Sequence, residues 1–430
     1  MNYFLYICAA IVLSGCTSNI SQDTPQRLAF SHYDIQLSID PDKQFIQVRG
    51  ELKYLVTENK SEKITFKLHK QLKLSHFSVN GDTSYYQNFN SKNPRWTPDA
   101  LEIVYPTKAR HKPGDVLKVN FAYQGTLSEW PDWSANVIGT DWVEIGMYFP
   151  WYPSVSGKFT YHLSVAITPG YKVFTAGKAS TNGNLHVFES QSAVYDLVVC
   201  AAKDLKLRKT TLLGREFTVA NAHLSDSAID SIQNDVGTFY RLYQDWFGDI
   251  AHDNMSLVIS KREKGGGYSR KNALYLGGLT NENYSTKRTE YNQYIAHEIA
   301  HFWWKNAPAN SWEDWLNESF SEYAALKVIE NTEGTEAFNS RLALKRGESS
   351  NIPPIWHLAR NSPHAQAVLY SKGAVLLYQL ESRIGSPAFF ALCREMIKQR
   401  THTTEEFLTL LKDSAGENVA NWFEYSLKTN

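Results

Sequence analysis

Two histidines four residues apart, His297 and His301, stand in the run from Tyr294 to Trp304 with Glu298 between them. On a helix this spacing projects both imidazoles from one face, one turn above the other. Two ring nitrogens so placed can reach a single zinc ion, and Glu298 is placed beside them to handle protons. Ile295, Ile299 and Phe302 fall on a different face, which can pack into a core. After a short connection, Ser311 and Asp314 resemble a capping box, and a second helix follows that carries Asn317, Glu318 and Glu322. Glu318 is the candidate third ligand, completing a two-histidine, one-glutamate set that leaves a fourth position for water. Asn317 and Glu322 are candidates for holding the ligand histidines from behind, with plain surface residues as the alternative.

The elements that must position these groups divide the chain. Tyr3 to Leu13 is an apolar run too short for the roughly 20 residues that span a bilayer as a helix. It ends in Leu13-Ser14-Gly15-Cys16, which resembles a bacterial lipoprotein cleavage box with Cys16 as the lipidated residue. Residues 1–15 are thus expected to be a signal peptide and residues 16–28 a lipidated polar tether. The expected location is the cell envelope, anchored to a membrane and facing the periplasm, with an ordinary secretory signal as the alternative.

From Phe30 to about Lys203 the periodicity is that of strands. Tyr33, Ile35, Leu37 and Ile39 alternate with polar neighbours, and Ile46, Val48, Leu52, Tyr54 and Val56 repeat the pattern around Gly50. Turn residues at short intervals predict an antiparallel β-sandwich or saddle over residues 29–205. Near Asp204–Leu213 the pattern shifts to helices, placing a mainly helical catalytic domain at 206–430. Ile229, Ile232, Val236, Phe239, Leu242 and Trp246 recur at helical spacing before Gly248.

Composition narrows the function. Lysine and arginine total 44 against 44 aspartate and glutamate, and no basic run appears, so nucleic acid is not an expected partner. Aromatic residues make up 13% of the chain, which suits packed interfaces and clefts. Cys200 and Cys393 are expected as two buried thiols rather than a disulfide.

His-Glu-Ile-Ala-His followed by Trp315-Leu-Asn-Glu-Ser-Phe-Ser-Glu-Tyr323 resembles the gluzincin metallopeptidases, most closely the aminopeptidase N family. The stretch from Phe302 to Asn317 is slightly shorter than that family's usual spacing. The resemblance implies a thermolysin-like catalytic domain, one zinc ion per chain and a peptide substrate. It also implies a role for Tyr370, in Tyr370-Ser-Lys-Gly373, as a hydrogen-bond donor to the oxyanion; a core tyrosine is the alternative. The run Gly266-Gly267-Tyr268-Ser269-Arg270 stands where the family has Gly-x-Met-Glu-Asn on an edge strand. Gly266 and Gly267 are candidates for close backbone approach to substrate, a flexible turn being the alternative. Ser269 replaces the glutamate that normally holds the free amine. Glu144, ahead of Pro150–Pro153, is a candidate for holding that amine, an ordinary strand carboxylate being the alternative. Three functions follow as expectations: a zinc aminopeptidase first, a zinc endopeptidase or otherwise specific peptidase second, and a non-catalytic peptide-binding lipoprotein third.

Overall fold

The computed structural model describes residues 28–429 except 61, 89–99, 129–134, 147–149, 156, 183–184, 191, 213, 251–253, 263–265 and 271–272. The expected signal peptide, the tether and Cys16 lie outside the described residues.

The first domain is built from strands whose side chains alternate between core and solvent. In Ser31–Asp40 this buries Tyr33, Ile35, Leu37 and Ile39. That strand is central to a seven-stranded sheet, pairing antiparallel with Phe45–Leu55 and parallel with Phe159–Ile167. Gly50 is a close approach within this sheet: a Cβ there would lie 2.3 Å from the Asp34 carbonyl oxygen and 2.9 Å from the Phe121 ring. A three-stranded sheet, which includes Lys63–His69, shares the same core. A four-stranded sheet runs in the order Lys172–Phe174, Val199–Ala202, Val143–Ile145 and Val137–Ile138.

The change from strands to helices comes later than the sequence suggested. Two further strands, Lys206–Leu212 and Arg215–Asn221, form a hairpin before the first long helix, Asp226–Phe247. Lys206–Leu212 buries no residue, so hydrophobic periodicity could not reveal it. Ser225 caps the following helix by accepting from the Ala228 amide, and Gly248 ends it at φ 89°.

That hairpin opens a five-stranded sheet, ordered Lys206–Leu212, Arg215–Asn221, Met255–Ile259, Ala273–Leu276 and Gly267–Arg270. Its alternating residues serve two cores. Phe217, Val219, Leu257, Ile259, Leu274 and Leu276 face the helices. Ala220, Val258, Ala273 and Tyr275 instead pack with Val198, Cys200 and Trp142 of the first domain. The sheet is therefore a shared wall between the two domains. Beyond it lie helices Arg288–Ala300, Trp315–Glu333, Thr335–Glu348, Gly373–Ile384, Ser386–Gln399, Thr404–Ala415 and Glu417–Lys428. The result is a β-rich domain followed by a mainly helical one. Cys200 and Cys393 are both buried free thiols.

Candidate metal centre

The helix Arg288–Ala300 ends at His301, which keeps a helical backbone, so both histidines stay on one face. The helix Trp315–Glu333 packs beside it and presents Glu318. His297 Nε2 lies 3.1 Å from His301 Nε2, and Glu318 Oε2 lies 3.3 Å from the first and 3.4 Å from the second. Four ligands about 2.0–2.1 Å from a common tetrahedral centre would be about 3.3–3.4 Å apart, so the triangle has the size such a cation requires. Among the described residues, these three form the group whose ligand atoms could share one metal ion.

The far edge of each ring shows why the near edges can accept a cation. His297 Nδ1 lies 2.7 Å from Glu322 Oε2, and His301 Nδ1 lies 3.0 Å from the Trp304 carbonyl oxygen. A carboxylate and a carbonyl can only accept, so each Nδ1 carries the proton and each neutral ring turns the Nε2 lone pair inward. With both rings neutral, two lone pairs face each other beside the buried Glu318 Oε2, and no hydrogen-bond donor among the described residues reaches that oxygen. That arrangement is electrostatically poor when empty and favourable around a divalent cation.

Without a metal, a proton on His297 takes the place of the cation between the ring and Glu318. Burial pulls His297 down, but hydrogen bonds to Glu318 and Glu322 outweigh it and bring its pKa to about 10. Burial would raise Glu318, yet the imidazoles of His301 and His297 hold it well below the ordinary carboxylate range. Burial also opposes ionisation of Glu322, but His297 and Lys345 bring it down to about 2. Glu298 is different: burial raises it, with the two histidines pulling the other way.

Glu322 is held in turn by Gln293 Nε2 at 2.6 Å and Lys345 Nζ at 2.9 Å. Asn317 does not hold a histidine. Its side chain bonds the Ala307 amide at 3.1 Å, the Ala307 carbonyl at 2.9 Å and Asp314 Oδ1 at 2.9 Å, so it ties down the connection between the two helices. Tyr370 stacks on the His297 ring with centroids 5.3 Å apart, and burial followed by the Glu318 charge raises its phenol well above the usual range. Its segment, Val368–Lys372, is a π-helical turn preceding Gly373–Ile384 rather than the start of one uniform helix. Gly373 is required by proximity: a Cβ there would lie 1.8 Å from Ser319 Oγ, and that hydroxyl donates to the Leu369 carbonyl over 2.6 Å.

Glu144, expected to meet substrate, is engaged by the protein itself. Glu144 is fully buried, and its oxygens accept from Trp142 Nε1, Tyr268 Oη, Ser260 Oγ and Arg262 Nε. No oxygen remains to meet a substrate amine, which corrects that expectation. Gly266 and Gly267 are glycines because of Tyr294, whose hydroxyl would lie 2.9 and 2.3 Å from a Cβ at each position. Sequence reasoning also missed Arg360, whose Nε meets Asp314 Oδ2 at 2.7 Å and whose Nη2 lies 3.9 Å from Glu318 Oε1. It lies outside any helix or strand, where periodicity gives no signal. Gln293 was findable, because it stands one turn before His297 on the same helix face.

Residues 270–425 match the family model described as Peptidase family M1 domain, a span containing both histidines, Glu298, Glu318, Glu322 and Tyr370. Over that span the chain is similar to the aminopeptidase N-like gluzincins. Aminopeptidase N of Lactococcus lactis subsp. lactis is 26% identical over 256 residues, covering 52% of this chain and 28% of that protein. Glutamyl aminopeptidase of Bitis rhinoceros is 25% identical over 189 residues, covering 40% of this chain and 19% of that protein. The chain thus matches a minor part of these longer relatives. Among solved structures, an M1 zinc metallopeptidase from Deinococcus radiodurans superposes with a TM-score of 0.70 at 18% identity, covering 93% of this chain and 95% of that one. Yeast LTA4 hydrolase gives 0.68 at 20% identity, covering 93% of this chain and 68% of that one. These likenesses show the two-domain fold.

Proposed function

We propose that this chain is a zinc-dependent peptide hydrolase that removes residues from the amino ends of peptides. The observation that carries the reading is the triangle of His297 Nε2, His301 Nε2 and Glu318 Oε2, with edges of 3.1–3.4 Å and both Nδ1 protons directed away. The matches to named aminopeptidases support the reaction class. When bound by these three residues, zinc would polarise the scissile carbonyl and lower the pKa of a water molecule. Glu298, next to His297 and not one of the three, takes the proton from that water and passes it to the leaving amine. Burial favours its protonated form, which suits a carboxylate that must receive and return a proton. Tyr370 donates its hydroxyl to the oxygen of the tetrahedral intermediate. Glu322 and the Trp304 carbonyl keep the two imidazoles in the tautomer that offers Nε2 to the metal.

One observation favours a second reading, hydrolysis that does not depend on a free amino end. Ser269, not a carboxylate, stands on the edge strand at the family's amine-holding position, and Glu144 is spent elsewhere. Aminoacyl amides and amino-blocked peptides separate the two. Turnover of free-amine substrates with rejection of blocked ones supports aminopeptidase action; equal turnover of both replaces it with endopeptidase action. Absence of chelator-sensitive turnover of either removes both. Anchoring through Cys16 at the cell envelope is part of the same proposal, resting on the apolar run before Leu13-Ser14-Gly15-Cys16. Among the described residues no helix is long and apolar enough to cross a membrane.

A further inference from the structure

The strand Gly267–Arg270 is the outermost of the five-stranded sheet, and successive residues on it face opposite ways. Gly267 faces the Glu298 helix, since a Cβ there would lie 2.3 Å from the Tyr294 hydroxyl. Ser269 shares that face by the period of two. Tyr268 and Arg270 turn to the other side, where the first domain meets them with two carboxylates. Tyr268 Oη donates to Glu144 Oε1 over 2.7 Å, and Arg270 Nε donates to Asp196 Oδ2 over 2.8 Å. Both carboxylate side chains are 0% exposed.

Each carboxylate is itself fixed within the first domain. Trp142 Nε1 donates to Glu144 Oε2 over 2.9 Å, and the Leu197 amide donates to Asp196 Oδ1 over 2.8 Å. Glu144 lies on Val143–Ile145, opposite Cys200, and Asp196 lies in the segment that leads into the neighbouring strand Val199–Ala202. Arg262 adds a link: its Nε is 3.3 Å from Glu144 Oε1, and its Nη2 donates to the Gly266 carbonyl just ahead of the strand.

Buried carboxylates are a poor way to glue two domains, because desolvation offsets much of what the pairing returns and an apolar contact serves as well. What such pairs add is direction. The apolar contact is already present in Val198, Cys200, Val258 and Tyr275. We infer that Glu144 and Asp196 are positioning residues for hydrolysis: through Tyr268 and Arg270 they fix the edge strand on both sides of Ser269, and so set how an extended peptide is held beside Glu298. This rests on the peptidase reading above.

The test compares Tyr268→Phe and Asp196→Asn with Val198→Ala. Phenylalanine keeps the stacking on Tyr275, whose ring is 4.7 Å away, and removes only the donor to Glu144. Asparagine keeps the shape of Asp196 and removes its charge. Val198→Ala loosens the apolar contact between the domains and leaves both carboxylates in place. Tyr268→Phe and Asp196→Asn should each raise KM about tenfold, the scale of one charge-assisted hydrogen bond, with kcat and bound zinc little changed. Val198→Ala should lower Tm without moving KM. Unchanged KM in the first two, or an equal rise in Val198→Ala, overturns the inference. A parallel reading is the Kd of a dansyl-labelled tripeptide for Glu298→Gln protein carrying each change. If the unmodified chain hydrolyses nothing yet this Kd rises about tenfold with Tyr268→Phe and Asp196→Asn, the proposed reaction fails while the positioning stands.

Discussion

Glu322 Oε2 lies 2.7 Å from His297 Nδ1, on the edge of the ring opposite the Nε2 that faces Glu318. One carboxylate therefore fixes which nitrogen is free to bind, while Gln293 and Lys345 fix the carboxylate. Glu322→Ala should weaken zinc binding by about 10- to 100-fold, the usual cost of losing such an outer partner. Competition with a chelator of known affinity measures it. Unchanged affinity would show that the hydrogen bond does not orient the ring.

Glu298 stands beside the ligands without being one of them. Glu298→Gln should keep stoichiometric zinc by elemental analysis while kcat falls about 10²- to 10⁴-fold, the range for a general base. A zinc-replete variant with normal turnover would remove Glu298 from the mechanism.

Tyr370→Phe keeps the ring that stacks on His297 and removes only the hydroxyl. Its kcat should fall about 10²- to 10³-fold with zinc retained, as for other oxyanion donors. Loss of metal together with activity would instead assign the tyrosine a packing role.

Gly373→Ala tests how closely the Tyr370 segment must approach the Glu318 helix. The added Cβ would lie 1.8 Å from Ser319 Oγ and 2.5 Å from Ser319 Cβ, and neither helix can yield without moving site residues. A loss of about 1–3 kcal/mol is expected for such overpacking, read as a fall in Tm. Ser319→Gly in the same chain should restore most of it.

The metal-free protein should show a stability window set by the ligand cluster. His297 is raised from 6.5 to about 10, so its contribution is complete below about 6.5 and fades as pH climbs through about 10. Glu322 is lowered from 4.5 to about 2, so its contribution is complete above about 4.5 and is lost as pH falls through about 2. Both are present between about 4.5 and 6.5, where the Tm of chelator-treated protein should profit most from this cluster. Zinc must displace the His297 proton, so its affinity should rise with pH across that higher range, with proton release visible by calorimetry in buffers of different ionisation heat. A pH-independent zinc affinity would show that His297 carries no proton for zinc to displace.

Local chemistry made part of this molecule legible in one dimension. The spacing of His297, Glu298 and His301 is a statement about one helical turn, and the alternation around Tyr33 to Ile39 is a statement about one strand. Such patterns depend on neighbours a few residues away, so the β-rich first domain, the helical second domain and the ligand candidates could be read directly. Folding alone decided what lies between distant segments. Glu144 and Tyr268 are 124 positions apart, and only the packing of two sheets makes the carboxylate a buried anchor rather than a ligand for substrate. Arg360 reaches Asp314 across 46 positions from a segment without periodicity, and Gly266 and Gly267 are required by a tyrosine on another element. A side chain's type and period fix what it is able to do. Which partner satisfies its charge or fills its space is set by the tertiary approach of elements far apart in the chain.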